Sequence, residues 1–299
     1  MSTATPILHM LTPQKHMSPF DVNMAADAGF KVIVPYVNVL AEEVNALVQD
    51  AIFSRPPQDG VRTGMFIGGK DAILALDMME AAKKAMVPPF QVSVFADPAG
   101  SFTTAAAMVA CVERQLKQKF NRTLKGTRIA VFGATGVVGF ASSIIAALEG
   151  ADVQLVAHRG VERVIKSAEL SKARFGVDLE AVDGESDDQK REIIANAEVI
   201  FAAAAAGVRV VSAEHKALAK NLLIAADVNA VPPPGVEGME LFMDGAQLPG
   251  CSAVGIGPLA IGDIKYKTES GLFKQMIASD QPLHLDFRHA FAMARELVA

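Results

Sequence analysis

The sequence predicts an α/β chain of two domains around a cleft, and three observations carry that prediction. The chain has 299 residues, more than a typical single domain holds. Strand-like apolar runs alternate with helical patterns along its length, the mark of βαβ construction. At its centre, Lys125-Gly-Thr-Arg-Ile-Ala-Val-Phe-Gly-Ala-Thr-Gly-Val-Val-Gly139 carries an apolar strand into a turn with glycines at 133, 136 and 139, and then into a helix. That layout brings a pyrophosphate onto the exposed N–H groups of a helix N-terminus. The second domain is therefore expected to be a Rossmann-type dinucleotide-binding domain with a parallel sheet. The spacing is G-x-x-G-x-x-G rather than G-x-G-x-x-G, so the turn alone is moderately specific.

The first domain reads as a strand over 7–11, then a helix from Pro19 to about 28 with Ser18 as its N-cap. A strand over 31–35, a helix over 40–49, a strand over 63–67 and a helix over 71–86 follow, the last ending before Pro88-Pro89. After a strand over 90–96, Ser101 is expected to cap a helix over 102–120 whose small face (Ala105, Ala106, Ala107, Ala110) permits close packing. The polar, turn-rich segment 121–127 is the expected boundary, giving a first domain over 1–124 and a nucleotide domain over 125–281. In the second domain strands are expected at 129–132, 152–157, 198–203, 222–226 and 252–255, and helices at 137–149, 160–175, 187–196 and 212–219. A last helix within 282–299 carries the stripe Phe287, Ala290, Phe291, Ala294, Leu297 and is expected to complete the first domain.

Composition narrows the function. Hydrophobic residues make up 51% and charged residues 20%, ample material for cores. A net charge of −5 argues against nucleic acid, whose phosphates call for a basic surface. No Trp occurs, and Tyr36 and Tyr266 offer little stacking surface for single strands. Cys111 and Cys251 have no metal or disulfide spacing, and the amino terminus lacks the basic region and apolar run of a signal peptide, so the cytoplasm is expected. The segment 129–148 is free of charge and long enough to span a bilayer, but its glycines and β-branched start divide it into a buried strand and helix.

Candidate cofactor residues follow from the fold. Gly133, Thr135, Gly136, Val137 and Val138 form the phosphate turn. The strand at 152–157 ends in His158-Arg159-Gly160, where a carboxylate would otherwise bond the ribose 2′-hydroxyl. No carboxylate there excludes a 2′-phosphate, and the planar fork of Arg159 suits one; a solvated strand end is the alternative. Ala204 lies in an alanine run, 202–206, read equally as a flat-ligand wall or a helix start. Asn229, in Asp227-Val-Asn-Ala-Val-Pro-Pro-Pro-Gly235, is a partner for a nicotinamide carboxamide or the centre of an Asx-turn. The glycine-punctuated 255–267 ends in Lys265 and Lys267, on one side of an extended stretch, where one could face the cleft. Four loops of the first domain, 17–21, 54–63, 68–70 and 97–104, are expected to converge at strand ends as a substrate site. G-x-S-x-G, H-E-x-x-H and a P-loop lysine are missing, and His9, His16, His158, His215, His284 and His289 are scattered without ligand spacing, so no metal is expected.

Together these segments resemble the bacterial NAD(P)-dependent methylene-tetrahydromethanopterin dehydrogenases of methylotrophic one-carbon metabolism. The resemblance covers nearly the whole chain, through Ile7-Leu-His-Met-Leu-Thr12, Met17-Ser-Pro-Phe-Asp-Val-Asn-Met24, Pro57-Gln-Asp-Gly-Val-Arg-Thr-Gly64, Phe95-Ala-Asp-Pro-Ala-Gly-Ser-Phe-Thr-Thr104, Asp227-Val-Asn-Ala-Val-Pro-Pro233 and Leu285-Asp-Phe-Arg288. It is similar to the type that accepts both NAD and NADP. The resemblance implies hydride transfer from methylene-tetrahydromethanopterin to NAD or NADP, with the pterin nitrogen supplying the push. It implies an active-site lysine at Lys265 that orients the pterin, and proximity to the pterin for Phe20, Asp21, Thr103 and Thr104, with Asp97 and Ser101 of the same loop. A homo-oligomer built on a trimer is expected. Methylene-tetrahydrofolate dehydrogenases are the nearest rivals, but they usually carry Tyr-x-x-x-Lys, and here Tyr36 is followed four residues on by Leu40 and Tyr266 by Ser270. A non-catalytic NADP-sensing protein is the rival from another class.

Overall fold

A computed structural model describes residues 4–299; Met1 to Thr3, part of the amino terminus read above as lacking a leader, lie outside the described residues. In chain order the elements are β1 (Ile7–Leu11), α1 (Pro19–Ala28), β2 (Val32–Tyr36), α2 (Val44–Phe53), α3 (Pro57–Gly60), β3 (Thr63–Ile67), α4 (Ala72–Lys84), β4 (Ser93–Ala96) and α5 (Ser101–Phe120). There follow β5 (Arg128–Phe132), α6 (Val137–Leu148), β6 (Asp152–Ala157), α7 (Glu162–Phe175), β7 (Glu180–Asp183), α8 (Asp187–Asn196), β8 (Val199–Ala202), α9 (Ala213–Leu218), β9 (Ile224–Asp227), β10 (Asp244–Gln247), β11 (Val254–Ile256), α10 (Pro258–Ala278), β12 (His284–Leu285) and α11 (Phe287–Val298). They form two compact units, 1–103 with 266–293 and 104–265 with 294–299, the division falling within α5, α10 and α11.

Unit 1 is a five-stranded parallel sheet in the order β12-β4-β3-β1-β2. β3 and β4 are buried along their whole length, as central parallel strands must be when helices cover both faces. Phe66, Phe95 and Phe273 pack at centroid separations of 5.2–5.5 Å and fill the core. β2 is an edge strand, and Pro35 suits it. Its neighbour Tyr36 turns its carbonyl to Thr12 N, so the missing N–H of Pro35 faces the open edge. Helix ends obey local chemistry: Ser18 Oγ accepts from Asp21 N at 3.4 Å, and Gly29 at φ 118° closes α1. At α4, Asp71 Oδ1 accepts from Ile73 N and Leu74 N, both at 2.9 Å.

Unit 2 carries a seven-stranded sheet in the order β10-β11-β9-β8-β5-β6-β7. Apart from the antiparallel edge strand β10, every pair is parallel. The chain starts at the centre with β5, steps outward through β6 and β7, then returns to β8 and continues the other way. This is the doubly wound order whose reversal, here between β5 and β8, opens a crevice at the carboxyl ends of the strands.

Several expectations need correction. Helix α5 is capped by Asp97 rather than Ser101: Asp97 Oδ1 accepts from Phe102 N at 2.8 Å and Thr103 N at 3.3 Å. The stretch around Lys265 is helical, within α10, not extended; residues two apart on a helix diverge by about 200°, so Lys265 and Lys267 do not share a side. The glycines that suggested an extended chain sit mostly before the helix, where a Cβ on Gly257 would lie 2.1 Å from Glu240 O. α2 starts four residues later than expected, after a short 3-10 turn at Ala41–Glu43. β7, β10 and β12 were not foreseen, being short and half polar. Of the final segment, 282–293 belongs to unit 1 and 294–299 to unit 2, and its helix begins only at Phe287.

Candidate functional site

In unit 2 the turn after β5 is built by three glycines with different duties. Gly133 takes φ +79°, and a Cβ there would lie 2.2 Å from Ala203 O; at Gly139 a Cβ would lie 2.4 Å from Gly133 O. Both are glycine because the backbone packs against them. Gly136 is different: it is the N-cap of α6, exposed, and a Cβ would meet only Gly133 O at 3.3 Å. Packing tolerates a side chain there, so crowding does not account for this glycine as it does for the other two, and the first-turn N–H groups of Val137 and Val138 lie beside it at the start of α6.

Beside this turn lies a pocket of about 410 Å³ at the carboxyl ends of β5, β6 and β8. It brings together Gly133, Thr135, His158, Arg159 and Ala204. It also gathers three cations the sequence reading missed: Arg163 on the first turn of α7, Lys190 on α8, and Arg209 after β8. Arg163 stands four residues after Arg159, a spacing that could have suggested it; Lys190 and Arg209 arrive only through tertiary packing. Arg209 is paired with Glu237 at 3.1 Å, while Arg159 and Arg163 have no carboxylate within 4 Å among the described residues. The alanine run does not start a helix: Ala202 ends β8, and Ala204 and Ala205 form the pocket wall as loop. Glycines that a Cβ would crowd, an open helix N-terminus and a basic far end fit a dinucleotide with a 2′-phosphate.

Gly136, Val137, Val138 and Asn229 do not line this pocket. Asn229 is buried and its amide is in use. Its Oδ1 accepts from Gly207 N at 3.2 Å and Val231 N at 3.0 Å, and its Nδ2 donates to Pro233 O at 2.9 Å. It therefore ties the loop after β8 to the loop after β9. Asp227 supports the same loop by accepting from Asn229 N and Val236 N, each at 2.9 Å. Burial pushes its carboxyl above the usual range, more than the N–H groups of Asn229, Val236 and Gly235 pull it down.

In unit 1 a pocket of about 310 Å³ lies at the carboxyl edge of β1, β3 and β4, lined by Thr12, Lys15, Ser18, Asp21, Gly69, Lys70 and Ala99 among others. Three of the four expected loops meet there. The fourth, 54–63, does not, because it precedes β3 and so lies at the amino edge of the sheet. Its Arg62, 7% exposed, instead donates to Ile277 O at 2.6 Å and Ser279 O at 3.0 Å, capping the end of α10. Phe20 is exposed on α1, beside the buried Asp21. Asp97 and Thr103 are fully buried behind the pocket: Thr103 Oγ1 donates to Asp97 Oδ2 at 2.6 Å. Ser101 and Thr104 are half-buried on α5. Between Asp97 and Ser101, Ala99 is held at φ 55°, ψ 31°, a left-handed conformation that costs a non-glycine residue about 1 kcal/mol or more. Such strain is retained where a loop must hold one shape. Lys265 is half-buried on α10 and Lys267 is exposed.

Among the described residues no three His, Cys, Asp or Glu side chains converge as a metal set, and no helix is long and apolar enough to cross a membrane. The charge-free 129–148 divides into β5 and α6.

A family described as methylene-tetrahydromethanopterin dehydrogenase, N-terminal, matches residues 19–99. The chain is 55% identical to the NAD(P)-dependent methylenetetrahydromethanopterin dehydrogenase of Methylorubrum extorquens, over 98% of this chain and 99% of that one. It is 31% identical to the bifunctional protein MdtA of the same organism, over 94% of each. Among solved structures, shikimate 5-dehydrogenase from Listeria monocytogenes is similar with a TM-score of 0.53, 14% identity and coverage of 100% and 98%. Quinate dehydrogenase from Corynebacterium glutamicum is similar with a TM-score of 0.55, 14% identity and coverage of 97% and 98%. At those identities the structures show the fold: an α/β chain with a Rossmann-type unit.

Proposed function

We propose that this chain, which belongs to the NAD(P)-dependent methylene-tetrahydromethanopterin dehydrogenase family, moves a hydride from methylene-tetrahydromethanopterin to NAD or NADP, giving methenyl-tetrahydromethanopterin in one-carbon oxidation. The observation that carries this reading is the 55% identity over nearly the full length of a relative so named. The site chemistry is consistent with it. When bound, the nicotinamide ring accepts the hydride, while the pterin nitrogen donates electrons to the carbon left behind. No residue has to remove a proton.

The protein's task is then positioning. Gly133 and Gly136 keep the turn open so that α6 presents N–H groups to the pyrophosphate. His158, Arg159 and Arg163 meet the adenosine end, and Ala204 lies against a flat ring. Asn229 steadies the loop after β8 from behind the pocket instead of spending its amide on the ligand. In unit 1, Asp21 with Lys15 and Lys70 offers polar partners to the pterin, Phe20 an apolar face, and Asp97, Ser101, Thr103 and Thr104 hold the loop that bounds it. Lys265 orients the pterin ring through its polar atoms. Unit 1 serves the pterin and unit 2 the nucleotide, a division that moves the expected boundaries at 124/125 and 281/282 into α5, α10 and α11. The protein acts in the cytoplasm as a homo-oligomer built on a trimer.

Measuring nicotinamide absorbance with each nucleotide and each one-carbon pterin tests the reading. Reduction of NAD and NADP with methylene-tetrahydromethanopterin is expected. Turnover only with methylene-tetrahydrofolate would move the chain to the folate enzymes, and nucleotide binding without any turnover would make it a sensor.

A further inference from the structure

A site that takes NAD as well as NADP needs two opposed things at the adenosine ribose: an acceptor for the 2′-hydroxyl and a cation for the 2′-phosphate. The end of β6, His158-Arg159-Gly160, supplies the cation and no carboxylate. The carboxylate comes from the next strand. Gly160 N donates to Glu185 Oε2 at 3.3 Å, so an acidic side chain from the β7–α8 loop lies on the backbone N–H beside Arg159. We infer that Glu185 is the ribose-hydroxyl acceptor for NAD and that it swings aside for the 2′-phosphate of NADP, making it a residue that sets cofactor breadth. This rests on the dinucleotide reading of the pocket given above.

Three observations support it. The stem of Glu185 is fixed: its N–H donates to Asp183 Oδ1 at 3.1 Å, and Asp183 Oδ2 accepts from Gln189 Nε2 at 2.8 Å. Gln189 in turn closes the capping box of α8 with Ser186, and Gly184 N holds the loop to Ala157 O at 3.2 Å. The head of Glu185, by contrast, is exposed and retained by one long hydrogen bond, which a phosphate displaces at little cost. Gly160 at φ +67° aims that N–H, a left-handed conformation that favours glycine. Arg159, Arg163 and Lys190 remain in the pocket to meet the phosphate when Glu185 leaves. Glu162, the other carboxylate near Gly160, makes no hydrogen bond to it and is the control.

The test is titration of the full-length protein with NADH and NADPH, followed by nicotinamide fluorescence without pterin, with circular dichroism to check the fold. E185A is expected to weaken NADH binding about tenfold and to leave NADPH binding unchanged or tighter. E185Q, which keeps an acceptor but loses the charge, is expected to tighten NADPH with a smaller loss for NADH. E162Q should leave the ratio of the two affinities as it is, and R159A should bias it the other way. Equal changes for both nucleotides in E185A, no change in either, or a shifted ratio in E162Q would overturn the proposal. If the parent protein binds neither nucleotide, the dinucleotide reading itself falls, and this inference with it.

Discussion

Gly136 and Lys265 make distinct demands on the chain. Because a Cβ on Gly136 meets only Gly133 O, at 3.3 Å, a Gly136→Val protein should fold normally yet lose nucleotide affinity by at least about tenfold, roughly 1.4 kcal/mol. Calorimetric titration with each nucleotide checks this, and undiminished affinity in a folded variant would remove the phosphate-turn assignment. In the proposed function Lys265 serves the chemistry rather than nucleotide binding. Lys265→Ala should lower kcat by about tenfold or more with nucleotide affinity nearly intact, and Lys267→Ala, on another side of the same helix, should do less. Initial rates decide, and a more damaging Lys267→Ala would show that the wrong lysine has been assigned. The gathering of Gly133, Arg159 and Ala204 at one pocket was legible in the sequence because each closely follows a strand of the parallel sheet. Lys190 and Arg209 were not, since each reaches the pocket from a separate loop or helix whose packing no spacing rule encodes.

Two helix ends carry most of what is testable about the elements. Arg62 donates to the last carbonyls of α10 from a buried position, so Arg62→Ala leaves those acceptors without partners and should destabilise unit 1 by about 2 kcal/mol in denaturant titration. Arg62→Lys should recover little, lacking the fork. At α11, Asp286 accepts from Arg288 N at 2.9 Å and from the Arg288 guanidinium and His289 ring. Burial pushes its carboxyl upward, but those hydrogen bonds and charges outweigh it and hold it well below the usual range. A lowered folded value means stability that is full above the unfolded value of about 3.9 and is lost as the pH falls through the folded value. Asp286→Asn should therefore cost about 1.5–3 kcal/mol at neutral pH and flatten the acid limb of the stability profile. An unchanged acid limb would mean that Asp286 does not titrate with folding. Most strands and helices of both units were readable from periodicity and caps. α10 was misread because Gly255, Gly257 and Gly262 mimic a loop, and the short β7, β10 and β12 were missed because their stability comes from neighbouring strands rather than from their own residues.

At the scale of the whole chain, both sheets carry a pocket at the carboxyl ends of their parallel strands, a basic one in unit 2 and a polar, strained-loop one in unit 1. Topology made that edge predictable. It also explains the loop that went astray, since 54–63 leads into its strand and so lies at the opposite edge. Substrate identity came from kinship and not from pocket shape, because many reactions share this fold. The most direct test of the central claim is to supply methylene-tetrahydromethanopterin deuterated at the methylene carbon and to examine the reduced nucleotide by nuclear magnetic resonance. Deuterium at C4 of the nicotinamide of both NADH and NADPH is the expected result. Reduced nucleotide without that deuterium, or no reduction by a protein that binds both partners, would contradict direct hydride transfer from the pterin.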